Sequence, residues 1–313
     1  MSALPSWLKV PPEVQAALAD GRAVVALETT VLTHGLPRPV NLELARRLEH
    51  EVRAAGALPA TVAVLDGQPH LGLSPEELER LALDEQAVKI NRRDLGAARA
   101  LGLTGGTTVS ATMILAHAAG VQVFATGGIG GVHRGDAGDV SADLPELART
   151  PVAVVCSGAK SILDLPRTLE WLETAGVLVL GYQTADFPAF FARESGLAVG
   201  LRLEGAAQAA AVLRAHWGLG LTSGVLIGVP CPEEAAVSEM AIELAIEAAL
   251  LEADEQHIQG KALTPYLLAR LAEATEGATL RANLALLKNN AYVARSEERR
   301  VGKECRSRWS PYH

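Results

Sequence analysis

Aromatic side chains are scarce in this chain: Phe, Trp and Tyr together make up 4% of it. A core without them must be assembled from Ala, Val, Leu and Ile, which dominate the 49% hydrophobic fraction. Basic residues are outnumbered, and the net charge is −8. That balance excludes a broad cationic face for a nucleic-acid backbone. An anionic substrate would have to be held by a few local cations against an unfavourable overall field. Cysteine is rare too. Cys156, Cys231 and Cys305 lie far apart and form no metal-type pair. No apolar run reaches the roughly 18 residues of a membrane span. The N-terminal MSALPSWLKVPPEV lacks the apolar stretch of a signal peptide. These absences lead us to expect a cytoplasmic protein with neither a membrane nor a nucleic acid as partner.

Two nucleotide signatures are also missing. GGIGGVH lacks the G-x-G-x-x-G spacing of a dinucleotide fold, and no G-x-x-x-x-G-K-[ST] occurs. Nucleotide-driven phosphoryl transfer therefore has no support.

What is present alternates. Short β-branched runs are followed by amphipathic ones over most of the 313 residues. The run Ala23–Val31 predicts a buried strand. Asn41–Gly56 predicts a helix, with Leu44, Leu48 and Val52 on one face and Gly56 as its stop. Thr61–Gly72 predicts a hairpin turning at Asp66-Gly67. Ser74-Pro75-Glu76-Glu77 predicts a capping box. Ala87–Asn91 and Val121–Gly128 predict strands. Thr107–Gly120 predicts a helix entered from the pair Gly105-Gly106. Pro151–Lys160 predicts a strand, Ser161–Gly176 the helix after it, and three helices are expected beyond Pro232.

Such alternation predicts the α/β class: a three-layer α/β/α sandwich around a largely parallel, mixed sheet. Nothing resembling a linker or repeat divides residues 1–294, so one domain is expected there. Residues 295–313 break the pattern, with six Arg/Lys and three Asp/Glu. That stretch reverse-translates, codon by codon, into a common short-read sequencing adapter. The expectation is a non-native tail in place of the natural C-terminus.

Sites in such sheets lie beyond the carboxyl ends of strands, which draws attention to four places. The stretch Ala125–Leu144 holds four glycines within five positions, then His133, Arg134, Asp136, Asp139 and Asp143. Loop glycines admit anions to backbone N–H groups, and carboxylates hold hard cations; a solvated surface loop is the competing reading. Lys160 follows an apolar strand and a small-residue turn. Desolvation there would favour the neutral amine that attacks a carbonyl-like carbon, whereas snorkelling from a helix's first turn would make it inert. Glu28 interrupts an apolar run, as a buried acid or as half of a structural ion pair. Lys89, beside Arg92 and Arg93, marks a phosphate site or a solvated basic face. His34 reads as a loop residue, and Asn283 is a polar residue on an apolar helix.

Together, ALETTVLTHGLPRP, TTVSATMILAHAAG, FATGGIGGVHRG, DVSADLPELART, VVCSGAKSILD, LETAGVLVLGYQT and TSGVLIGVP resemble the pseudouridine-5'-phosphate glycosidase family, which includes indigoidine synthase A-like proteins. The resemblance runs from about Val24 to Val293. It implies an α/β/α sandwich forming a homotrimer, with one Mn2+ per subunit. The implied reaction is reversible conversion of pseudouridine 5'-phosphate and water to uracil and ribose 5-phosphate through a lysine Schiff base. On the matching positions, Glu28 is the implied proton donor and Lys160 the nucleophile. Lys89, Val109, Ser141, Ala142 and Asp143 fall on substrate-binding positions, Asp139 on the metal ligand, and His133 and Asn283 on segments lining the site. Two readings compete: a Schiff-base lyase or aldolase for another sugar phosphate, and a non-catalytic phosphosugar-binding protein.

Overall fold

The computed structural model describes residues 4–54, 56–135, 138–258 and 263–305, with side-chain surroundings described to residue 294. Twelve strands occur among them: β1 (Val24–Leu27), β2 (Leu58–Leu65), β3 (Gln68–Leu71), β4 (Val88–Ile90), β5 (Gly105–Thr107), β6 (Val123–Ala125), β7 (Val132–His133), β8 (Ala153–Cys156), β9 (Leu163–Asp164), β10 (Leu178–Tyr182), β11 (Leu201–Leu203) and β12 (Val225–Gly228).

Ten of these form one sheet in the order β11-β10-β12-β8-β6-β1-β2-β5-β4, with β3 also paired to β2. From β11 to β2 every neighbour is parallel; β3 and β5 run antiparallel to β2. The central strands VVAL, AVVC and VLIG are apolar throughout and wholly buried. A parallel sheet covered on both faces requires that composition, because both sides of each strand meet helices. On one face the helices Val40–Ala54 and Ala206–Gly218 each pack on Ala278–Cys305, which lies against β1, β6 and β8. Val109–Ala118 packs against β1, β2 and β6 and leads on to the helices Asp143–Leu147 and Leu165–Thr174. The expected three-layer α/β sandwich is therefore present.

Local expectations hold where the chemistry is local. The β2–β3 hairpin turns at Asp66-Gly67, both at positive φ. Ser74 and Glu77 cap each other's backbone at the helix Pro75–Leu83. Leu44, Leu48 and Val52 are all buried. Three expectations need correction. The first strand stops at Leu27, and the chain then turns through a π-helical turn at Val31–Gly35. The glycine pair Gly105-Gly106 is itself strand β5, where a side chain at Gly106 would run into Thr33 and the Thr29 carbonyl. The helix expected from Ser161 begins only at Leu165, capped by Asp164, because Leu163 and Asp164 pair with β7 as strand β9. The helix Ala278–Cys305 runs into the stretch expected to be a tail, whose residues 306–313 lie outside the described residues. Among the described residues no helix is long and apolar enough to cross a membrane.

Candidate active site

Three adjacent parallel strands end side by side at one edge of the fold. Glu28 follows β1, Thr126-Gly127-Gly128 follow β6, and Ser157-Gly158-Ala159-Lys160 follow β8. Their loops are tied together by the backbone: Ile129 N–H donates to Gly158 O at 3.0 Å, and Lys160 N–H to Ile129 O at 3.1 Å. The glycines permit this close approach. A Cβ at Gly128 would lie 2.6 Å from the Phe190 ring, and one at Gly130 would collide with Ser141.

Glu28, Thr30, Lys89, Lys160 and Thr264 line both halves of one cleft. The inner chamber, about 50 Å³, is walled by Val31, Phe190, Pro265 and Leu268, with His34 and Asn283 as polar points. The outer chamber, about 370 Å³, carries Lys89, Asn91, Arg93, Val109, His133, Asp139, Ser141, Ala142 and Asp143. A roomier groove of about 500 Å³ opens elsewhere, between the loop after Lys160 and the helix Glu239–Glu255. Two of its charged residues, Arg134 and Glu243, hold each other at 2.6 and 2.7 Å, whereas the smaller cleft brings Glu28, Lys89 and Lys160 together.

Glu28 is open to the cleft on one side and crowded by protein on the others. Burial pushes its carboxyl above the ordinary range. The Lys160 charge, a hydrogen bond from Thr126 Oγ1 and the Lys89 charge pull it back, while Asp143 adds to the rise. Burial wins, leaving an acid that keeps its proton to higher pH than an exposed glutamate. His34 moves the other way: burial, then the Lys89 and Arg38 charges, favour its neutral form. Its Nδ1 is hydrogen-bonded to Thr33 Oγ1 at 2.7 Å. Cys156, at the end of β8, is pushed up to about 12 by burial, which removes it as a competing nucleophile.

Asp143 is buried, and both its carboxylate oxygens are engaged. Oδ1 accepts from Ser110 N–H at 3.0 Å, at the start of the helix Val109–Ala118, and Oδ2 accepts from Gly130 N–H at 2.9 Å. It thus clamps the glycine loop to a helix N-terminus. Glu146, one turn on and fully buried, binds Arg92 and Arg149, and turns Arg92 away from the cleft. Of the expected basic cluster, Lys89 and Arg93 line the chamber.

The family model described as "Indigoidine synthase A like protein" matches residues 13–296. The chain belongs to this indigoidine synthase A-like family. A pseudouridine-5'-phosphate glycosidase from Caldanaerobacter subterraneus is 54% identical over 92% of this chain and 94% of its own length. One from Herpetosiphon aurantiacus is 55% identical over 90% of this chain and 94% of its own. Among solved structures, the prealnumycin C-glycosynthase AlnA in complex with ribulose 5-phosphate superposes with a TM-score of 0.90. It is 41% identical, and the match covers 97% of this chain and 99% of that one. An indigoidine synthase A-like protein from Thermotoga maritima gives 0.88 at 37% identity, over 97% and 100%. The family match ends at residue 296, close to the start of the basic stretch 295–313.

Within this indigoidine synthase A-like chain, every residue that the family resemblance placed at the site lines the cleft, whereas Arg92 and Arg134 do not. Glu28, Lys160 and Lys89 sit at the junction of the chambers, Asn283 is in the inner one, and the rest are in the outer one. Asp139 is half-exposed, its Oδ2 3.8 Å from His133 Nε2. Among the described residues no three His, Cys, Asp or Glu side chains converge as a metal-ligand set; Asp136 lies outside them. A single carboxylate suits a hard cation that keeps most of its waters and shares oxygens with a substrate. Sequence reasoning overlooked Thr126, Phe190 and Thr264, which carry no recognisable spacing, and treated His34 as peripheral.

Thr126 supplies a test of how Glu28 is tuned. Replacing it by valine removes a donor that favours the ionised carboxylate. The alkaline limb of the pH–rate profile is then expected to move to higher pH, with the protein still folded. An unmoved limb would dissociate the Thr126 hydroxyl from the acid.

Proposed function

We propose that this protein cleaves the carbon–carbon glycosidic bond of pseudouridine 5'-phosphate to give uracil and ribose 5-phosphate. The observation that carries the reading is the pairing of a proton-retaining Glu28 with Lys160 at the junction of two unlike chambers. The relatives at 54% and 55% identity bear that activity in their names, and the C-glycosynthase neighbour binds a pentulose phosphate.

The two chambers suit the two ends of such a substrate. Apolar walls around Phe190 fit a planar base. Asn283 Oδ1 is buried there without a hydrogen-bond partner, an arrangement that is costly until a donor arrives. A uracil N–H is such a donor. Lys89 and Arg93 suit the phosphate, in a protein otherwise of the wrong charge for it.

In this scheme Glu28 protonates the ring oxygen as Lys160 Nζ bonds to the anomeric carbon and the sugar ring opens. The nitrogen lone pair then forms a protonated imine as the carbon–carbon bond breaks. That bond's electrons pass to the base, whose C5 takes up a proton. Water hydrolyses the imine, frees ribose 5-phosphate and restores the amine. We assign Asp139 to Mn2+, which when bound supplies positive charge that orients and neutralises substrate oxygens. A homotrimer in the cytoplasm completes the proposal.

The deciding experiment is borohydride reduction of protein incubated with ribose 5-phosphate and manganese, followed by peptide mass spectrometry. A reduced pentose-phosphate adduct on Lys160 is expected. An adduct elsewhere, or none on folded protein, would sink the Schiff-base scheme. Comparing uracil with simple aldehydes as the second reactant separates it from an aldolase.

A further inference from the structure

The helix Ala278–Cys305 presents a second asparagine one heptad beyond Asn283. Asn290 is completely buried and touches neither chamber. Its side-chain amide donates to Thr126 O at 2.8 Å, to Gly127 O at 3.3 Å and to Ser157 Oγ at 3.1 Å. Ser157 Oγ is also 3.3 Å from Asn290 Oδ1. One side chain therefore joins the loop after β6 to the loop after β8.

Each loop leads directly to a reactive group. Thr126, whose carbonyl Asn290 holds, donates its hydroxyl to Glu28. Ser157 lies three residues before Lys160, and its own N–H donates to Gly127 O at 2.8 Å. The helix approaches closely because Gly127 has no side chain; a Cβ there would lie 3.2 Å from Leu287. An apolar residue would fill position 290 as well for packing alone. A buried amide is required only where a polar group must be held, here the Thr126 carbonyl, which would be costly if left unmatched in a dry interior.

We infer that Asn290 is a positioning residue, which fixes the distance between Glu28 and Lys160 by locking the two strand-end loops to one another and to the C-terminal helix. This rests on the glycosidase reading for its catalytic consequence, but the lock itself does not. A misplacement of about 1 Å between reacting groups costs roughly a hundredfold in rate. Substrate binding, carried by the chamber walls, is much less sensitive.

The test compares wild type with Asn290→Ala in two measurements on the full chain. Steady-state kinetics with pseudouridine 5'-phosphate should show kcat down roughly a hundredfold with KM within about threefold. Amide hydrogen exchange should show faster exchange at Ile129, Ser157 and Lys160. If Asn290→Ala does not fold, Ser157→Ala, which cuts the tie on the β8 side, takes its place in both measurements. A wild-type kcat, a loss confined to KM, or unchanged exchange at those amides overturns the inference. A wild type that does not turn over this substrate would sink the functional reading instead, and the exchange result would then decide the positioning role alone.

Discussion

Replacing Lys160 by alanine is expected to leave a folded protein whose kcat falls by a factor on the order of 10⁴ to 10⁶. The size follows from its assigned role. Without the amine no covalent intermediate forms, and no nitrogen lone pair fills the anomeric carbon as the base leaves with the bond's electrons. Folding should be little affected. Its backbone N–H donates to Ile129 O and its carbonyl accepts from Leu163 N–H, both of which alanine keeps, and its side chain lines the cleft. Near-wild-type turnover by Lys160→Ala, checked by rapid quench against a melting curve, would remove Lys160 from the chemistry.

The second large effect belongs to Glu28. Exchange for glutamine keeps the shape and an acceptor for the Thr126 hydroxyl but abolishes proton donation, and kcat should drop by about 10² to 10⁴. Burial lifts this carboxyl above its ordinary value of 4.5. Wild-type activity should therefore fall as pH rises through that elevated range, and the residual activity of Glu28→Gln should lack this limb. Stability has a matching sign. The folded state holds a proton that the unfolded chain releases above about 4.5, so the contribution of Glu28 is complete below that pH and is lost as pH rises through its folded value. Glu28→Gln should accordingly gain on wild type in melting temperature towards neutral pH and lose that advantage in acid. A pH-independent difference would mean that Glu28 is not a buried acid.

Much of this could be seen in the sequence because the relevant forces act over short stretches. Leu44, Leu48 and Val52 share a helical face, and Ser74 and Glu77 satisfy each other three residues apart. Glu28 stands out because a carboxylate directly after an apolar run needs a reason to be there. The failures involve distant partners. Leu163 and Asp164 leave the expected helix to pair with β7, thirty residues earlier. Gly105 and Gly106 look like a turn, but they form a strand by pairing with β2 and β4, Gly105 close against Val88 and Gly106 against Thr29 and Thr33. Thr126 and Asn290 are ordinary polar residues until the sheet order places β6 between β1 and β8. Likewise, nothing local indicates that the turn after β1, which carries His34, folds over the inner chamber.

The C-terminal helix gives the site a history as well as a geometry. The strands bearing Glu28 and Lys160 emerge from the ribosome long before residues 283 and 290 do. Until that helix arrives, the loops bearing the acid and the amine are held to each other only through their own backbones. The polar point in the inner chamber and the lock between the loops both arrive in the final helix. A chain that has built its sheet but not this helix therefore holds both reactive groups without the amide that locks their loops.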